Sequence, residues 1–246
     1  MNVSLVFQIH QPSRLRTYRV FDIGKNHSYF DDAKNKEIMQ KVSAKCYVPA
    51  TKIVQSLLKK HPEFKVAYSI TGTALEQMEK YAPEALALLK KVAASDRVEF
   101  LGETSHHSLA SLANQDEFVE QIKIHSALIQ KHFGKTPKTF RNTELIHTNT
   151  IATIAKTLGF TSILAEGAES CIGKKSPNNT FKTPSGIPAL LRNYKLSDDI
   201  AFRFADKKSK NYPLTPNKFA LLAQKQKGDT LNLFMDYETF GEHQWK

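Results

Sequence analysis

Four short clusters of side chains that can donate, accept or transfer protons are spaced along the sequence. They are His10-Gln11-Pro12, Glu103-Thr104-Ser105-His106-His107, Asn142-Thr143-Glu144 and Asp236-Tyr237-Glu238. The carboxylates of Glu144 and Asp236 could flank a glycosidic bond, one ionised as a nucleophile and the other protonated as a general acid. We expect Arg141 and the nearby histidines to keep Glu144 ionised through opposite charge and hydrogen bonding.

The same clusters permit other interpretations. His10, His106, His107 and Asp236 could converge as a metal site that activates water. Adjacent histidines at a strand end point to opposite sides, so His106 and His107 are not expected to share one ion. Taken alone, Glu144 could be an acid at a helix N-terminus, and Asp236 could form an Asx turn.

Each polar cluster directly follows a short apolar run that is typical of a β-strand. Seven strands are predicted, at residues 3–9, 65–70, 98–102, 139–141, 162–165, 190–194 and 230–236. Helical periodicity separates them, at residues 35–46, 50–60, 74–81, 83–94, 115–133, 150–158 and 216–226. Connections of this length make the strands parallel, so the fold class is α/β, as a β/α barrel or a doubly wound sheet. The carboxyl ends of such strands share one rim, where active sites form.

The remaining segments predict one domain over residues 1–246. Residues 166–189 are rich in Gly, Ser, Pro and Asn and are expected to form one long ordered loop. The aromatic residues that follow Asp236 could stack on a sugar ring. They are Tyr237, Phe240 and Trp245, and for Phe240 we favour simple packing of a loop onto the barrel.

Composition and charge exclude several classes of protein. The chain has 246 residues and a net charge of +11, but its lysines are scattered, so we expect no nucleic-acid partner. The apolar content of 41% is too high for a disordered chain. No apolar run reaches about 18 residues, so we expect no membrane span. Cys46 and Cys171 are too few for a disulfide scaffold, and the N-terminus lacks a basic start, so a cytoplasmic protein is expected.

Together, these segments resemble glycoside hydrolase family 57, the α-amylase-type family built on an incomplete seven-stranded β/α barrel. The resemblance covers essentially the whole chain and rests on four motifs in the family's order. They are His10-Gln11-Pro12 with Arg14, Gly102-Glu103-Thr104-Ser105-His106-His107-Ser108-Leu109, Phe140-Arg141-Asn142-Thr143-Glu144-Leu145-Ile146, and Met235-Asp236-Tyr237-Glu238-Thr239-Phe240-Gly241-Glu242-His243. Residues 18–47 resemble the α-amylase-like branch in particular.

The resemblance implies a retaining glycosidase that needs no metal or other cofactor. By motif position, Glu144 matches the family's nucleophile and Asp236 its general acid/base. The implied substrate is an α-1,4-glucan or maltooligosaccharide, and the two carboxylates are expected about 5 Å apart. The residues expected to hold sugar hydroxyls and tune the carboxylates are His10, Glu103, His106, His107 and Arg141.

The sequence departs from the family pattern at two places. The third motif often continues with tyrosine, where this chain has His147, and the chain stops just after the fourth motif. We therefore expect the catalytic barrel of a longer enzyme, without the helical region that follows in the family. Three alternatives stay open: a 4-α-glucanotransferase using the same residues, a metal-dependent polysaccharide deacetylase or hydrolase on a similar barrel, and a glycan-binding barrel without activity.

Overall fold

A ring of seven parallel strands, surrounded by helices, forms the frame of the computed structural model, which describes residues 1–244. The ring follows the neighbour order β3-β2-β1-β8-β7-β5-β4, and the short strand β6 pairs antiparallel with β7. The strands are β1 (Asn2–Ile9), β2 (Val66–Ile70), β3 (Val98–Phe100), β4 (Thr139–Arg141), β5 (Ser162–Glu166), β6 (Phe181–Lys182), β7 (Pro188–Arg192) and β8 (Thr230–Asp236). The structure is therefore the predicted β/α barrel and not the doubly wound sheet.

Helices connect successive strands and pack outside the ring. They are α1 (Asp32–Val42), α2 (Val48–Lys60), α3 (Gly72–Tyr81), α4 (Pro83–Ala93), α5 (Gln115–Phe133), α6 (Asn149–Thr157), α7 (Glu169–Ile172), α8 (Tyr194–Ala201) and α9 (Pro216–Gln224). Side chains cap several of them: Thr71 accepts from the amide of Ala74, and Asn114 from that of Glu117. A cap of this kind stabilises a helix by about 1 kcal/mol.

No helix among residues 1–244 is long and apolar enough to cross a membrane.

The predicted strands are confirmed in position, with ends that differ by up to two residues. The prediction of a strand over 190–194 was wrong at its end, because Asn193 caps α8 by accepting from the amide of Leu196. The prediction of one long loop over 166–189 was also wrong. This segment contains the single turn α7 and the strand β6.

Side chains alternate between the inside and the outside of the ring along each strand. Outward residues pack against the helices in two clusters, one around β1, β2, β3 and β8 and the other around β4, β5 and β7. Inward residues form an apolar floor of Val6, Leu101, Leu145, Leu164 and Phe234. Two positions further along each strand, the inward residues are polar. They include Glu103 and Asp236, which the sequence marks at the strand ends, and Gln8 and Glu166, which it does not.

Two seams divide the ring into a four-stranded sheet (β3, β2, β1 and β8) and a three-stranded sheet (β7, β5 and β4). At the first seam, the bridge residue Gly102 donates to the carbonyl of Thr139 at 2.9 Å and accepts from the amide of Arg141 at 2.8 Å. At the second seam, one residue pair joins β7 to β8, and the Asn232 side chain donates to the carbonyl of Leu191 at 3.1 Å. Each closure therefore depends on a short set of hydrogen bonds.

Gly102 leaves no room for a side chain at the first seam. A Cβ at this position would lie 2.3 Å from Cε1 of Phe160, whose buried ring packs against Phe140. We predict that Gly102→Ala lowers the free energy of unfolding by about 2 kcal/mol, because overpacking a close-packed core is destabilising. Phe160→Leu, which removes the clashing ring atoms, should make the double variant more stable than the sum of the two changes.

Urea denaturation of the two single variants and the double variant checks this prediction. Gly134→Ala is the matched control, since Gly134 has a φ of +64° but nothing within 4 Å of its Cβ position. Gly134→Ala loses stability only because alanine disfavours a positive φ, so Phe160→Leu should not reduce that loss. If the changes in the free energy of unfolding caused by Gly102→Ala and Phe160→Leu simply add in the double variant, the packing explanation is contradicted.

Candidate active site

A cavity of about 440 Å³, the rim cavity, opens at the carboxyl ends of the barrel strands. Its volume lies within the range of roughly 300–1,000 Å³ that is typical of ligand sites. The carboxyl groups that line it are those of Glu144, Glu166, Asp236 and Glu238, and the rings of His10 and His107 face the same space. The rim that the sequence predicts therefore exists as a cavity rich in groups that can transfer protons.

Glu144 lies in the turn after β4, with 70% of its side chain exposed. Its Oε1 lies 3.0 Å from Nε2 of His107, which donates to the carboxylate. Glu144, Leu145 and His107 all have positive φ angles, between 54° and 56°. Residues other than glycine pay on the order of 1 kcal/mol each for this conformation, a strain that clusters at functional sites.

His10 supports His107 without adding a charge. The two rings stack with centroids 4.2 Å apart, and Nδ1 of His10 lies 3.0 Å from Oγ1 of Thr71. Burial, followed by the neighbouring charges of His107, Arg141 and Arg14, lowers the pKa of His10 to about 4. The His10 ring is therefore neutral at pH 7.

Asp236 ends β8 in a more buried environment than that of Glu144. Burial raises the pKa of the Asp236 carboxyl, the nearby Glu144 charge acts in the same direction, and His243 and Arg141 oppose it. One cavity thus holds the exposed Glu144 side chain with a histidine partner and the desolvated carboxyl of Asp236, whose pKa is raised. Two chemically similar groups in environments that differ in this way can take different roles in proton transfer.

Glu103 and Arg141 lie inside the barrel and do not line the rim cavity. Nη1 of Arg141 lies 3.5 Å from Oε2 of Glu103, whose Oε1 accepts from Ser69 at 2.7 Å. The Arg141 guanidinium also lies 5.2 Å from the ring centroid of Phe234, a residue of the cavity wall. Both charges are fully buried, and removing one partner of such a pair is strongly destabilising.

Glu238 lines the rim cavity although the sequence did not assign it a role. Its carboxylate accepts from Gln11 at 3.2 Å and from the Tyr47 hydroxyl. Burial raises the pKa of Glu238 to about 7. The available signal was its place two residues after Asp236, since the turn after β8 returns it to the same side.

The aromatic residues after β8 do not all take the positions that a sugar platform requires. Tyr237 is buried in the outer core, where it contacts Phe7 and Tyr47, so the prediction that its ring stacks on a sugar was wrong. Phe240 packs edge-on against Phe7, as the packing interpretation predicts. Trp245 lies outside the described residues.

The metal alternative lacks a ligand set in the part of the chain that the structure describes. Over residues 1–244, no group of three or more His, Cys, Asp or Glu side chains is placed to hold a metal ion. His106 is exposed and outside the rim cavity, whereas His107 faces it. The prediction that the two side chains diverge holds, but its reason was wrong, because both residues lie beyond β3 and His107 has a positive φ. Stacking of His10 on His107 is a packing geometry and does not direct both rings to one ion.

Sequence comparison finds related proteins along the whole chain. The profile of Glycosyl hydrolase family 57 matches residues 4–246. A protein of Methanocaldococcus jannaschii named "Putative alpha-amylase" is 44% identical over 252 residues, which are 100% of this chain and 53% of that protein. The chain therefore spans about half the length of this relative.

Structural comparison finds the same barrel in solved structures. The 4-alpha-glucanotransferase from Thermococcus litoralis matches with a TM-score of 0.72 and 16% identity, over 98% of this chain and 34% of that one. The GH57-type branching enzyme from Pyrococcus horikoshii matches with a TM-score of 0.67 and 15% identity, over 98% of this chain and 64% of that one. At these identities the likeness establishes the fold.

The raised pKa of Glu238 predicts a pH dependence of stability. A glutamate in the unfolded chain titrates near its ordinary pKa, so between about pH 4.5 and pH 7 the native state binds more protons. Stability therefore falls as the pH rises through this window, by about 3 kcal/mol for this group. We expect Glu238→Gln, which keeps an acceptor oxygen for Gln11 and Tyr47, to remove that loss.

Urea denaturation at about pH 5 and pH 8 measures the difference between the parent and the variant. The control is Glu76→Gln, an exposed position on α3 that should keep the pH dependence of the parent. The same fall in stability for Glu238→Gln as for the parent would show that Glu238 does not hold this proton.

Proposed function

Because this chain belongs to glycosyl hydrolase family 57, we propose that it acts on α-1,4-linked glucans as a retaining glycosidase. The observation that carries the proposal is the contrast between Glu144 and Asp236, two carboxyl groups on one cavity in opposite environments. A retaining mechanism needs such a pair, one group to attack and one to deliver a proton.

Glu144 attacks the anomeric carbon in the first step. Its exposure leaves one carboxylate oxygen free to approach the sugar, while His107 holds the other oxygen. The neutral ring of His10, stacked on His107, restrains the orientation of this donor. The bond from carbon to the leaving oxygen breaks as the bond to the Glu144 oxygen forms, which yields a covalent glycosyl-enzyme.

Asp236 delivers the proton that the leaving oxygen requires. Burial favours the protonated form of its carboxyl before the bond breaks. Once the proton is transferred, the same group, now ionised, takes a proton from the acceptor. The acceptor oxygen bonds to the anomeric carbon as the bond to the Glu144 oxygen breaks, which restores the Glu144 carboxylate. Arg141, from inside the barrel, lowers the energy of that ionised form and so limits how far the pKa of Asp236 rises.

The acceptor in the second step decides between hydrolysis and transfer. Water gives a shortened sugar, and a sugar hydroxyl gives a longer one, with the same two carboxyl groups in both cases. Both outcomes retain the anomeric configuration, because two displacements occur on one carbon. The product sizes therefore distinguish the hydrolase from the transferase.

We predict that Glu144→Gln and Asp236→Asn reduce turnover of maltooligosaccharides for different reasons. Loss of the nucleophile should abolish turnover of every substrate. Asp236→Asn, which removes the acid, should lower the turnover rate roughly 10²–10⁴-fold with natural sugars. The rate should fall much less with an aryl α-maltoside, because its leaving group needs no proton. Proton NMR of the released anomer and chromatography of the product sizes measure both effects.

Glu76→Gln, on the outer helix α3, is the control and should match the parent. Product of inverted configuration would contradict the double displacement. Equal losses for Asp236→Asn on natural and aryl substrates would contradict the assignment of Asp236 as the acid. Absence of turnover by the parent, even in a chain extended beyond residue 246, would reject the glycosidase proposal.

A chelator separates this mechanism from metal-assisted hydrolysis. Since no described set of side chains can hold an ion, we expect EDTA to leave turnover unchanged. Loss of activity on chelation, followed by recovery on addition of zinc, would favour the deacetylase-type alternative.

A further inference from the structure

The carboxyl groups that line the rim cavity differ in whether a basic side chain is bonded to them. Glu144 has a histidine nitrogen at 3.0 Å, and Glu166 has an arginine nitrogen at 3.2 Å. Within residues 1–244, neither Asp236 nor Glu238 forms an ion pair with a lysine, arginine or histidine. These two carboxyl groups therefore depend on each other for the charge that either one carries.

Neutral side chains hold the Glu238 carboxyl in a fixed orientation. The Gln11 amide, at 3.2 Å, and the Tyr47 hydroxyl both donate to its Oε1. Arg14 donates to the side-chain carbonyl oxygen of Gln11 at 2.9 Å, which turns the NH2 group of Gln11 toward Glu238. Since Oε1 accepts both bonds, a proton on this carboxyl belongs on Oε2. Glu238 is only 5% exposed, so its ionised form is poorly solvated.

Asp236 and Glu238 are neighbours at the end of one strand. Asp236 ends β8, Glu238 lies in the turn that follows, and both line the rim cavity. Two carboxylates in one poorly solvated space repel each other, so the ionisation of one makes the other keep its proton. Burial is the main cause that raises the pKa of Glu238 to about 7; the Tyr47 hydrogen bond opposes this rise, and the Asp236 charge adds to it. The coupling is mutual, so a charge on Glu238 favours the proton on Asp236.

The other titratable groups around the pair act in known directions. Cys46 and Tyr47 face Glu238 from residues 43–47, and burial raises the pKa of each, so both are neutral. Glu242 and His243 donate their backbone amides to the carbonyl oxygen of Glu238. The charged groups that act on Asp236 are, in order of effect, His243, Arg141, Glu144 and His107. Of these, only Glu144 favours the proton on Asp236, so a second negative charge nearby has a distinct effect.

We propose that Glu238 is a positioning residue for the acid step, and that its negative charge helps Asp236 to keep the proton that the leaving oxygen needs. As the pH rises, Glu238 releases its own proton to solvent, and Asp236 still delivers its proton to the leaving oxygen. Glu238 acts through Asp236 and not on the sugar. This inference rests on the proposed function, because it takes Asp236 as the acid.

The pH dependence of kcat/KM with maltohexaose tests this role in the parent and in Glu238→Gln. Below about pH 6, the parent carries a protonated Glu238, so the two proteins should have the same profile. Above about pH 7, only the parent gains the charge, so kcat/KM of Glu238→Gln should fall roughly 5- to 10-fold below that of the parent. Glu238→Asp, which keeps the charge, should follow the parent.

Glu242→Gln is the matched control. Glu242 also follows β8, and its carboxylate pairs with Lys41 and does not line the rim cavity. The variant loses the same charge and should keep the parent's profile. If Glu238→Gln has the same profile as the parent, or is slower by one factor at every pH, the charge of Glu238 does not act on Asp236 and the inference is overturned.

Carbon-13 NMR of protein labelled at the glutamate carboxyl groups tests the coupling without turnover. The Glu238 signal, identified by its loss in Glu238→Asp, should titrate near pH 7 in the parent. In Asp236→Asn it should titrate at lower pH, because the neighbouring charge is gone.

The failures of the two proposals are distinguishable. If Asp236→Asn leaves the titration of Glu238 unchanged, the two groups are not coupled, and the inference is overturned even in a protein that cleaves glucans. If the titration shifts but the parent turns over no maltooligosaccharide, the coupled pair stands and the proposed glycosidase function is overturned.

Discussion

The buried ion pair between Arg141 and Glu103 is the interaction on which the arrangement of the site depends. Arg141 lies on β4 and Glu103 follows β3, so the pair joins the two sheets at the first seam from inside the barrel. Its charge reaches the groups around it: Arg141 lowers the pKa of His10 and opposes the rise in the pKa of Asp236. An unpaired guanidinium at this depth would be too costly to keep. The pair therefore adds a side-chain contact to the backbone hydrogen bonds that close the first seam, and it contributes to the local field.

Apolar side chains line the inside of the barrel beside this charged pair. The same period of two that gives Val6 and Phe234 to the floor gives His10 and Asp236 to the rim. Strand register, and not local sequence, fixes the height of each polar group. A small number of residues per strand is thus enough to build a desolvated interior and a cavity open to ligand.

Much of this arrangement could be predicted from the sequence, because parallel strands joined by helices bring their carboxyl ends to one rim. That rule places Glu144 and Asp236 on one cavity without any knowledge of register. It does not say which rim residues turn inward below the cavity, as Glu103 and Arg141 do. Nor does it show that the turn after β8 returns Glu238 to the site while Tyr237 enters the outer core. Those positions depend on contacts between distant elements.

The distance between the carboxyl groups of Glu144 and Asp236 depends on the two seams of the ring. Asp236 ends β8 and Glu144 follows β4, and the two strands lie on opposite sides of the second seam, so the gap between the two carboxyl groups depends on how β7 and β8 meet. Retaining and inverting glycosidases differ in this gap by only a few ångströms. Side chains at the seams, such as Asn232 and the hydrogen-bonded pair Thr104 and Thr143, thus help to set the distance between the two carboxyl groups. The spacing of the two carboxyl groups is therefore a property of how the barrel is closed.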